Sequence, residues 1–306
     1  MANIQKLSYI ITSKSPDDPK LKDLLESIKW QYSEGFEKEV WVITEGTSES
    51  AKAIGIRRCS GDVVCILASD NLLDDPMLSY DAMELLKRDD LTGVYPAYYS
   101  RYTTDTKLSR YFALIGGNDP LAVFLGKADR LPLDNEVRGT HILNFPDSIP
   151  TLGDNGFFIK RGLITQSRLD SYYHIDVCED LRRLGHYRYA RLESSIWHRT
   201  GDCSILNFFR RRARFGTQHA FNTDRRWHLV GFKDALRLLL FVVSAATLVY
   251  PTIRAIKGYL KVRDSAWFLA PMMELLTLLT YAYLTIRLIV IPPSQSLFVP
   301  TGGQKA

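Results

Sequence analysis

A carboxylate at the end of an apolar run is the first feature of this sequence that could do chemistry. In the stretch GDVVCILASDNLLDD, residues 61–75, five apolar residues lead almost directly into Ser69, Asp70 and Asn71. A short apolar run that is bounded by polar residues predicts a buried strand. Ligands bind at the ends of strands in open α/β sheets. Asp70 could therefore hold a metal ion, but it could also cap the next helix or lie solvated in a turn.

A second group of carboxylates lies in the stretch DVCEDLRRLG, which predicts a helix over residues 176–185. Asp176, Glu179 and Asp180 stand at positions i, i+3 and i+4 and so share one helical face. Clustered carboxylates can raise one another's pKa, which suits a general base. For Glu179 and Asp180 the alternative is an exposed acidic face that pairs with Arg182 or Arg183.

The elements that must position these residues alternate between strand and helix. Apolar patterns and helix-start signals predict strands over 7–13, 38–44, 63–68 and 91–100, and helices over 17–31, 48–60 and 75–90. This order predicts an α/β fold with a mostly parallel sheet and helices on both faces. Residues 101–150 predict loops and short helices, residues 153–164 a loop, a short strand and a helix start, and residues 187–198 a strand.

Composition places the chain among globular proteins, since its 306 residues are 46% hydrophobic and 24% charged. The first residues lack a long apolar stretch, so we expect no signal peptide. The four cysteines are scattered without a metal-ligand spacing, which favours reduced thiols in the cytoplasm. Arginines and lysines cluster between 210 and 237, directly before two apolar segments. This arrangement indicates the cytoplasmic face of a membrane rather than a nucleic-acid site.

The C-terminal third predicts attachment to the cell membrane. Residues 204–234 have the composition of an amphipathic, basic interface segment, and the apolar stretches within 235–293 predict a hairpin of two membrane helices. Helices lying in the plane of the membrane are the alternative, because Glu274 and Arg287 fall inside the second stretch. Residues 294–306 would form a tail. The basic excess before the first helix predicts a catalytic domain on the cytoplasmic side.

The segment from Glu45 to Asn71 carries a resemblance to a known family. Glu45-Gly46-Thr47 follows a predicted strand, AKAIG and CSGD follow in the next helix and loop, and Ala68-Ser69-Asp70 ends the third strand. This succession and spacing resemble the family 2 glycosyltransferases, which have the nucleotide-binding GT-A fold. The resemblance implies a GT-A domain over residues 1–203. The first Asp of the family's Asp-x-Asp motif is Ala68 here.

The resemblance implies a donor site for a nucleotide sugar, linked to UDP or GDP, across the ends of the strands. Asp70 would hold Mg²⁺ or Mn²⁺, and His198, after the last strand, would be a second metal ligand. The remaining donor-site residues would contact the nucleoside (Thr12 and Ser13), the base (Glu45), the nucleotide (Lys52) and the sugar (Gly153, Asp154 and Asn155). The ligand function of His198 would partly compensate for Ala68.

The resemblance also implies an acidic residue that deprotonates the acceptor hydroxyl. Counting back from Gly185, Asp176 falls nearest to the family's acidic pair, and His174 stands at the usual position of the base. We predict Asp176 as the general base, with Asp180 as the alternative. Asp119, in a variable region, could contact substrate, although a turn at Asn-Asp-Pro is the simpler interpretation.

The sequence therefore predicts an inverting glycosyltransferase at the membrane, with a hydroxyl or a lipid-linked phosphate as acceptor, in glycan, lipopolysaccharide or glycolipid assembly. Membrane lipids are expected partners and nucleic acid is not. A nucleotidyltransferase ranks low, because TSKSPDDPK after the first strand has no glycine. Ala68 keeps a second alternative open, a catalytically inactive membrane-bound GT-A scaffold or a sugar-nucleotide-binding protein.

Overall fold

A computed structural model describes residues 4–136, 138–169, 173–199, 204–220 and 225–290 of the chain. The predicted tail, residues 294–306, lies outside the described residues. The strands of the described part are β1 Lys6–Thr12, β2 Glu37–Ile43, β3 Val63–Ala68, β4 Asn71–Leu72, β5 Gly93–Tyr99, β6 His141–Asn144, β7 Phe157–Lys160 and β8 Arg188–His198. Its α-helices are α1 Pro19–Lys29, α2 Ser48–Arg58, α3 Leu78–Leu86, α4 Lys107–Ile115, α5 Pro120–Phe124, α6 Arg161–Ile164, α7 His174–Arg183, α8 Ile205–Ala220, α9 Ala235–Thr247, α10 Val249–Lys261 and α11 Ala270–Val290.

The strands form one mixed sheet in the order β2-β1-β3-β7-β5-β8-β4, with β6 paired to β8. Strands β1, β2, β3, β5 and β8 run in one direction, and β7 lies antiparallel between β3 and β5. The α/β fold with a mostly parallel sheet is therefore confirmed. The carboxyl ends of β1 and β3 are in register, since Thr12 stands opposite Ala68.

Successive residues of the central strands are buried on opposite faces of the sheet, as the two-residue period of a strand requires. On one face, Leu7 and Tyr9 of β1 pack with side chains of α1 and α3. On the other face, Ile10 packs with side chains of α2 and α7. Because helices cover both faces of the sheet, its central strands consist of nearly continuous apolar residues.

The region between residues 101 and 150 contains two short helices, the type of helix predicted there, and in addition a strand. It contains α4, capped by Thr106 and ended by Gly116 in the left-handed conformation, and β6 on the edge of the sheet. Asp119 accepts a hydrogen bond from the backbone N–H of Leu121 and so caps α5. Asp119 thus stands at the start of a helix, in the Asn-Asp-Pro segment for which a turn was the simpler interpretation.

The first apolar stretch of the C-terminal part is not a single straight helix. It forms α9 and α10, which are bent by 84° relative to each other at a break at Leu248, whose φ is 60°. Pro251 explains the position of the break, because a proline ring clashes with the carbonyl four residues earlier, here that of Thr247. The second stretch is continuous, and residues 265–290 are long and apolar enough to cross a membrane.

The C-terminal helices pack directly on the α/β part. Phe208 and Phe209 of α8 are buried in one apolar cluster with Tyr111 and Phe112 of α4 and Trp267. A second cluster joins α5 to α9. The apolar stripe of the predicted interface segment is therefore largely covered by protein, while many large side chains on the outer sides of α9, α10 and α11 are exposed.

Two polar networks tie the same parts together. Asp264 pairs with Arg101, at 2.6 Å, and with Arg110 of α4. Asp119 pairs with Arg212 of α8 and accepts a hydrogen bond of 2.7 Å from the Tyr281 hydroxyl of α11. Since these carboxylates are more than nine-tenths buried, their partners are needed to offset the cost of burying the charge.

Candidate active site

The turn between β3 and β4 places Asp70 beside the end of β8. Asn71 stands opposite His198 in the antiparallel pair of β4 and β8, and the backbone N–H of Arg199 donates to the Asp70 carbonyl. This pairing brings Asp70 Oδ1 to 3.7 Å from His198 Nε2. Residues 128 positions apart thus meet at one edge of the sheet, where the sequence resemblance implied a shared metal ion.

The Asp70 carboxylate has the capacity to bind a cation, because its Oδ1 atom is buried and has no hydrogen-bond partner among the described residues. A buried oxygen of this kind is costly unless a ligand satisfies it. The described residues contain no group of three or more His, Cys, Asp or Glu side chains arranged to hold a metal. A cation at this place would take two protein ligands, and Mg²⁺ completes such a shell with diphosphate oxygens and water.

Thr12 and Ser13 lie at the carboxyl end of β1, next to this turn. The backbone N–H of Ser69 donates to the Thr12 carbonyl, and the Ser13 hydroxyl donates to the Ser15 carbonyl. Glu45 lies after β2 at the same edge and forms an exposed ion pair of 2.7 Å with Arg58. These three residues therefore line the edge that the sequence assigned to the nucleoside and base.

The loop at Gly153, Asp154 and Asn155 joins the other side of this edge. Gly153 and Asn155 have φ values of 112° and 53°, in the left-handed region. Asn155 Oδ1 accepts a hydrogen bond from Asn71, directly after Asp70, and Asn155 Nδ2 donates to the Tyr99 hydroxyl. The predicted sugar loop is thus held against the turn that carries Asp70.

Lys52 lies behind this loop and not on its surface. Its Nζ atom lies 2.6 Å from Asp154 Oδ2 and 3.5 Å from Glu49 Oε1, and its side chain is 2% exposed. Burial raises the pKa of Asp154, but the charge of Lys52, the adjacent His174 and hydrogen bonds from Lys52 and the Asn155 N–H together outweigh it and lower that pKa to about 2. Burial lowers the pKa of Lys52, and its two carboxylate partners raise it by more. Lys52 therefore supports the loop as a buried cation.

Arg130 is a site residue that the sequence analysis missed. Its guanidinium carbon lies 5.2 Å from the ring centre of Tyr99 and 5.5 Å from that of Tyr95, and its Nη2 donates to the Asn155 carbonyl. The side chain is 1% exposed. The signal for this cation–π contact was the pair Tyr95 and Tyr99, which stand on one face of β5, together with the basic residue Arg130 after α5.

The acidic face of α7 is occupied by arginines. Asp176 is fully buried, its Oδ2 lies 2.6 Å from Arg225 Nε, and its Oδ1 accepts the backbone N–H of Trp227. Asp180 pairs with Arg226 at 2.7 Å. These arginines belong to the basic cluster that the sequence analysis assigned to a membrane face, whereas the structure directs them inward.

Glu179 contacts Arg182 and Arg183, as the alternative interpretation of the acidic face expected. It is buried, however, and not exposed. Burial raises the pKa of Glu179, but hydrogen bonds from these two arginines lower it by more. Each carboxylate of this face thus stabilises a charged partner in the absence of substrate.

Comparison with known proteins supports the fold that this geometry indicates. No protein-family model and no curated protein matches the sequence. A mannosyltransferase from Pyrobaculum calidifontis, solved with GDP-Man and Mn²⁺, aligns with 93% of this chain and 88% of its own, at 10% identity and a TM-score of 0.50. Glucosyl-3-phosphoglycerate synthase from Mycobacterium tuberculosis aligns with 71% of this chain and 79% of its own, at 15% identity and a TM-score of 0.45. At 10% identity the first likeness establishes the fold alone, and the GT-A glycosyltransferase fold that the sequence resemblance predicted is confirmed.

Proposed function

We propose that this chain is an inverting glycosyltransferase that moves a sugar from a nucleotide-sugar donor to a hydroxyl or lipid-phosphate acceptor at a membrane surface. The observation that carries the proposal is the pair of Asp70 and His198, 3.7 Å apart at the ligand-binding edge of a GT-A sheet. Such a pair could hold the cation of a metal-assisted transfer, in which the leaving diphosphate develops negative charge. The buried, unpartnered Asp70 Oδ1 supports the same interpretation.

Asp70 and His198 would hold Mg²⁺ or Mn²⁺, and the cation would neutralise charge on the diphosphate. The other residues of this edge act by binding and orientation. Thr12, Ser13 and Glu45 would contact the nucleoside, and the loop from Gly153 to Asn155 would hydrogen-bond sugar hydroxyls. In this arrangement Lys52 keeps Asp154 ionised and in place.

The membrane part of the proposal is supported by the outer faces of the C-terminal helices. Leu239, Val243, Ile256 and Leu260 of the bent pair are each 46% or more exposed, and Ile286 of α11 is 61% exposed. Exposed large apolar side chains on helices of this kind fit lipid. Each arm of the bent pair has 13 residues, about 20 Å of helix, which is shorter than the roughly 30 Å of a bilayer core. This geometry favours the in-plane alternative for α9 and α10.

Isothermal titration with UDP and with GDP tests the donor site. We would titrate the full chain in lipid-mimetic solution, with Mn²⁺ and with chelator, for the wild type, Asp70→Asn, His198→Gln and the exposed control Asp147→Asn. We expect metal-dependent binding of one nucleotide to the wild type and the control. Each site variant should weaken this binding by about tenfold or more, because losing one of two protein ligands leaves the cation poorly held.

The outcome also separates an enzyme from an inactive scaffold. Equal binding with Mn²⁺ and with chelator would contradict the metal function of Asp70 and His198. Failure to bind either nucleotide under both conditions would contradict the donor assignment and favour a scaffold that keeps only the fold.

A further inference from the structure

His174, the first residue of α7, lies between two carboxylates. Its Nδ1 atom is 3.8 Å from Asp154 Oδ2 and 4.0 Å from Glu49 Oε2. This nitrogen is buried, and it has no hydrogen-bond partner in the part of the chain that the structure describes. Such separations in a site without substrate are typical of catalytic contacts that shorten when substrate binds.

The surroundings of His174 fix which of its nitrogens carries the proton. Asp154 is ionised, as its lowered pKa shows. Burial raises the pKa of Glu49, but the charge of Lys52 and the adjacent His174 together lower it by more. Two carboxylate acceptors favour a proton on Nδ1, and a neutral ring then has its lone pair on Nε2. Lys52 already fills the space between the carboxylates, so this group is not a cation site.

The backbone of His174 also borders the loop of the candidate donor site. The backbone of Gly153 packs so closely on His174 that a Cβ atom there would lie 2.7 Å from the His174 carbonyl oxygen. Two residues further along the loop, Asn155 bonds to Asn71, next to Asp70. The His174 side chain is 25% exposed. Since Nδ1 is buried, an acceptor that reaches the ring from solvent would meet the other nitrogen, Nε2.

The carboxylates of α7 do not offer this combination. Asp176 is 0% exposed and lies against Arg225, and Asp180 binds Arg226 and the Ser167 hydroxyl. A carboxylate paired to arginine is a weak base. His174 is the ionisable side chain of the first turn of α7 that combines solvent access with a positioned ring.

We propose that His174 is the general base of the transfer and that Asp154 and Glu49 are the residues that position it. This inference rests on the proposed function and names its acceptor class as a hydroxyl, because a phosphate acceptor is already anionic and needs no base. The acceptor O–H proton moves to His174 Nε2 while the acceptor oxygen bonds to the anomeric carbon. The bond from that carbon to the diphosphate oxygen breaks, and its electron pair leaves with the diphosphate.

The first test measures the tautomer and needs no turnover. We would record the imidazole ¹⁵N signals of the full chain at neutral pH and assign His174 by their loss in His174→Asn. Because the asparagine amide can replace Nδ1–H toward Asp154 but supplies no basic nitrogen, this variant should keep its fold and its nucleotide binding. A proton on Nδ1 is expected, and a proton on Nε2 would overturn the proposal.

The second test uses water and azide in place of the unidentified acceptor. Water can replace the acceptor, so the rate measured is the release of UDP from UDP-glucose or of GDP from GDP-mannose. This rate should fall by about 10²–10⁴-fold in His174→Asn, while the exposed control His141→Asn should match the wild type. Azide attacks the anomeric carbon without losing a proton, so it should restore release in His174→Asn and yield a glycosyl azide. A variant that keeps its rate within a few-fold, or that azide does not rescue, would overturn the inference.

The pH profile separates a base from a structural residue. Glu49 and Lys52 on α2 and Asp154 in the loop are the charged groups that face the ring. The wild-type rate should fall toward acid, because a base that already carries a proton cannot take one from the acceptor, and this limb should be absent from the residual rate of His174→Asn. An unchanged limb would contradict the proposal. If the wild type binds neither nucleotide, the proposed function itself fails, which calorimetry shows before any His174 variant is needed.

Discussion

Arg225 Nε lies 2.6 Å from Asp176 Oδ2, and this contact fastens the segment after α8 to the first turn of α7. The Asp176 side chain is fully buried and that of Arg225 is 10% exposed. The backbone N–H groups of Arg226 and Trp227 also point to Asp176 Oδ1. Asp176 is therefore the centre of a buried junction, and its structural importance can be measured separately from any chemical one.

Replacing Asp176 by Asn should destabilise the fold. The change leaves the Arg225 guanidinium buried without a counter-charge, and breaking a buried pair in this way costs about 3–5 kcal/mol. Chemical unfolding of Asp176→Asn and of the exposed control Asp147→Asn would measure the difference. A variant as stable as the control but without transfer activity would instead favour Asp176 as the general base.

Replacing Lys52 by Met should change how stability depends on pH. In the wild type burial raises the pKa of Asp154, but the charge of Lys52, the adjacent His174 and hydrogen bonds from Lys52 and the Asn155 N–H together lower it from 3.8 to about 2. A lowered carboxyl pKa stabilises the fold above pH of about 4, and this contribution is lost as pH falls toward 2. Without Lys52, burial raises that pKa, so Lys52→Met should be less stable at neutral pH.

The gap between the wild type and Lys52→Met should narrow as pH falls below about 4, since protonated Asp154 no longer needs the lysine. Urea unfolding at a series of pH values would measure the gap. A gap that stays constant across this range would show that the two charges do not interact.

Replacing Gly153 by Ala should damage the candidate site more than an ordinary glycine substitution does. Gly153 has a φ of 112°, and a Cβ there would meet His174 backbone atoms at 2.7–3.0 Å. Gly126 also has a positive φ, of 72°, but nothing lies within 4 Å of its Cβ position. Gly126→Ala therefore reports the left-handed backbone alone, at a cost of about 1–2 kcal/mol.

The excess destabilisation of Gly153→Ala over Gly126→Ala measures the close approach of the loop to α7. We expect Gly153→Ala to weaken nucleotide binding as well, whereas Gly126→Ala should bind as the wild type does. Thermal unfolding and titration with UDP and GDP would provide both comparisons. Equal losses for the two variants would show that the loop tolerates a shift away from His174.

Replacing Leu239 and Val243 by Gln should weaken attachment to lipid without changing the fold. Both lie on α9, and they are 59% and 52% exposed, so little internal packing is lost. Placing two amides in the hydrocarbon boundary removes apolar burial and should lower vesicle partitioning by about tenfold or more. Co-flotation with phosphatidylglycerol vesicles measures this partitioning.

The matched control for flotation is Trp30→Gln with Leu184→Gln, which changes two exposed apolar residues of the α/β part, 74% and 55% exposed. This pair should float as the wild type does. If both double variants lost partitioning equally, the surface of α9 would not be the membrane contact.

The elements of the α/β part were predictable because their signals are local. Strand β3 was predicted over the same residues that the structure shows, since polar residues bound its apolar run on both sides. Short helices were predicted between residues 101 and 150, but the position of α4 was not, because its apolar face packs on α8 and on residues around Trp267, more than 90 positions away in the sequence. The break at Leu248 had a local signal in Pro251, which the prediction of a straight membrane helix did not use.

The site was predictable where strand ends define it. The structure brings Asp70 and His198 together because β4 and β8 pair at their ends. The partners of Asp176 and Asp180 were not predictable, since Arg225 and Arg226 come from beyond α8 and no local pattern links them. Three carboxylates on one helical face repel one another unless cations lie beside them. This repulsion was the signal in the sequence that basic side chains pack against α7.

The packing of α8 and α11 against α4 and α5 has a consequence for truncated forms of this protein. Removing residues after 203 would expose the apolar side chains of Tyr111, Leu114 and Leu121 to solvent. It would also leave Arg110 without its partner Asp264, and Asp119 without its partner Arg212. The C-terminal helices are thus part of the same folded unit as the α/β sheet. We expect heat to unfold them together with the sheet in one cooperative transition, and we expect a chain truncated after residue 203 to be unstable.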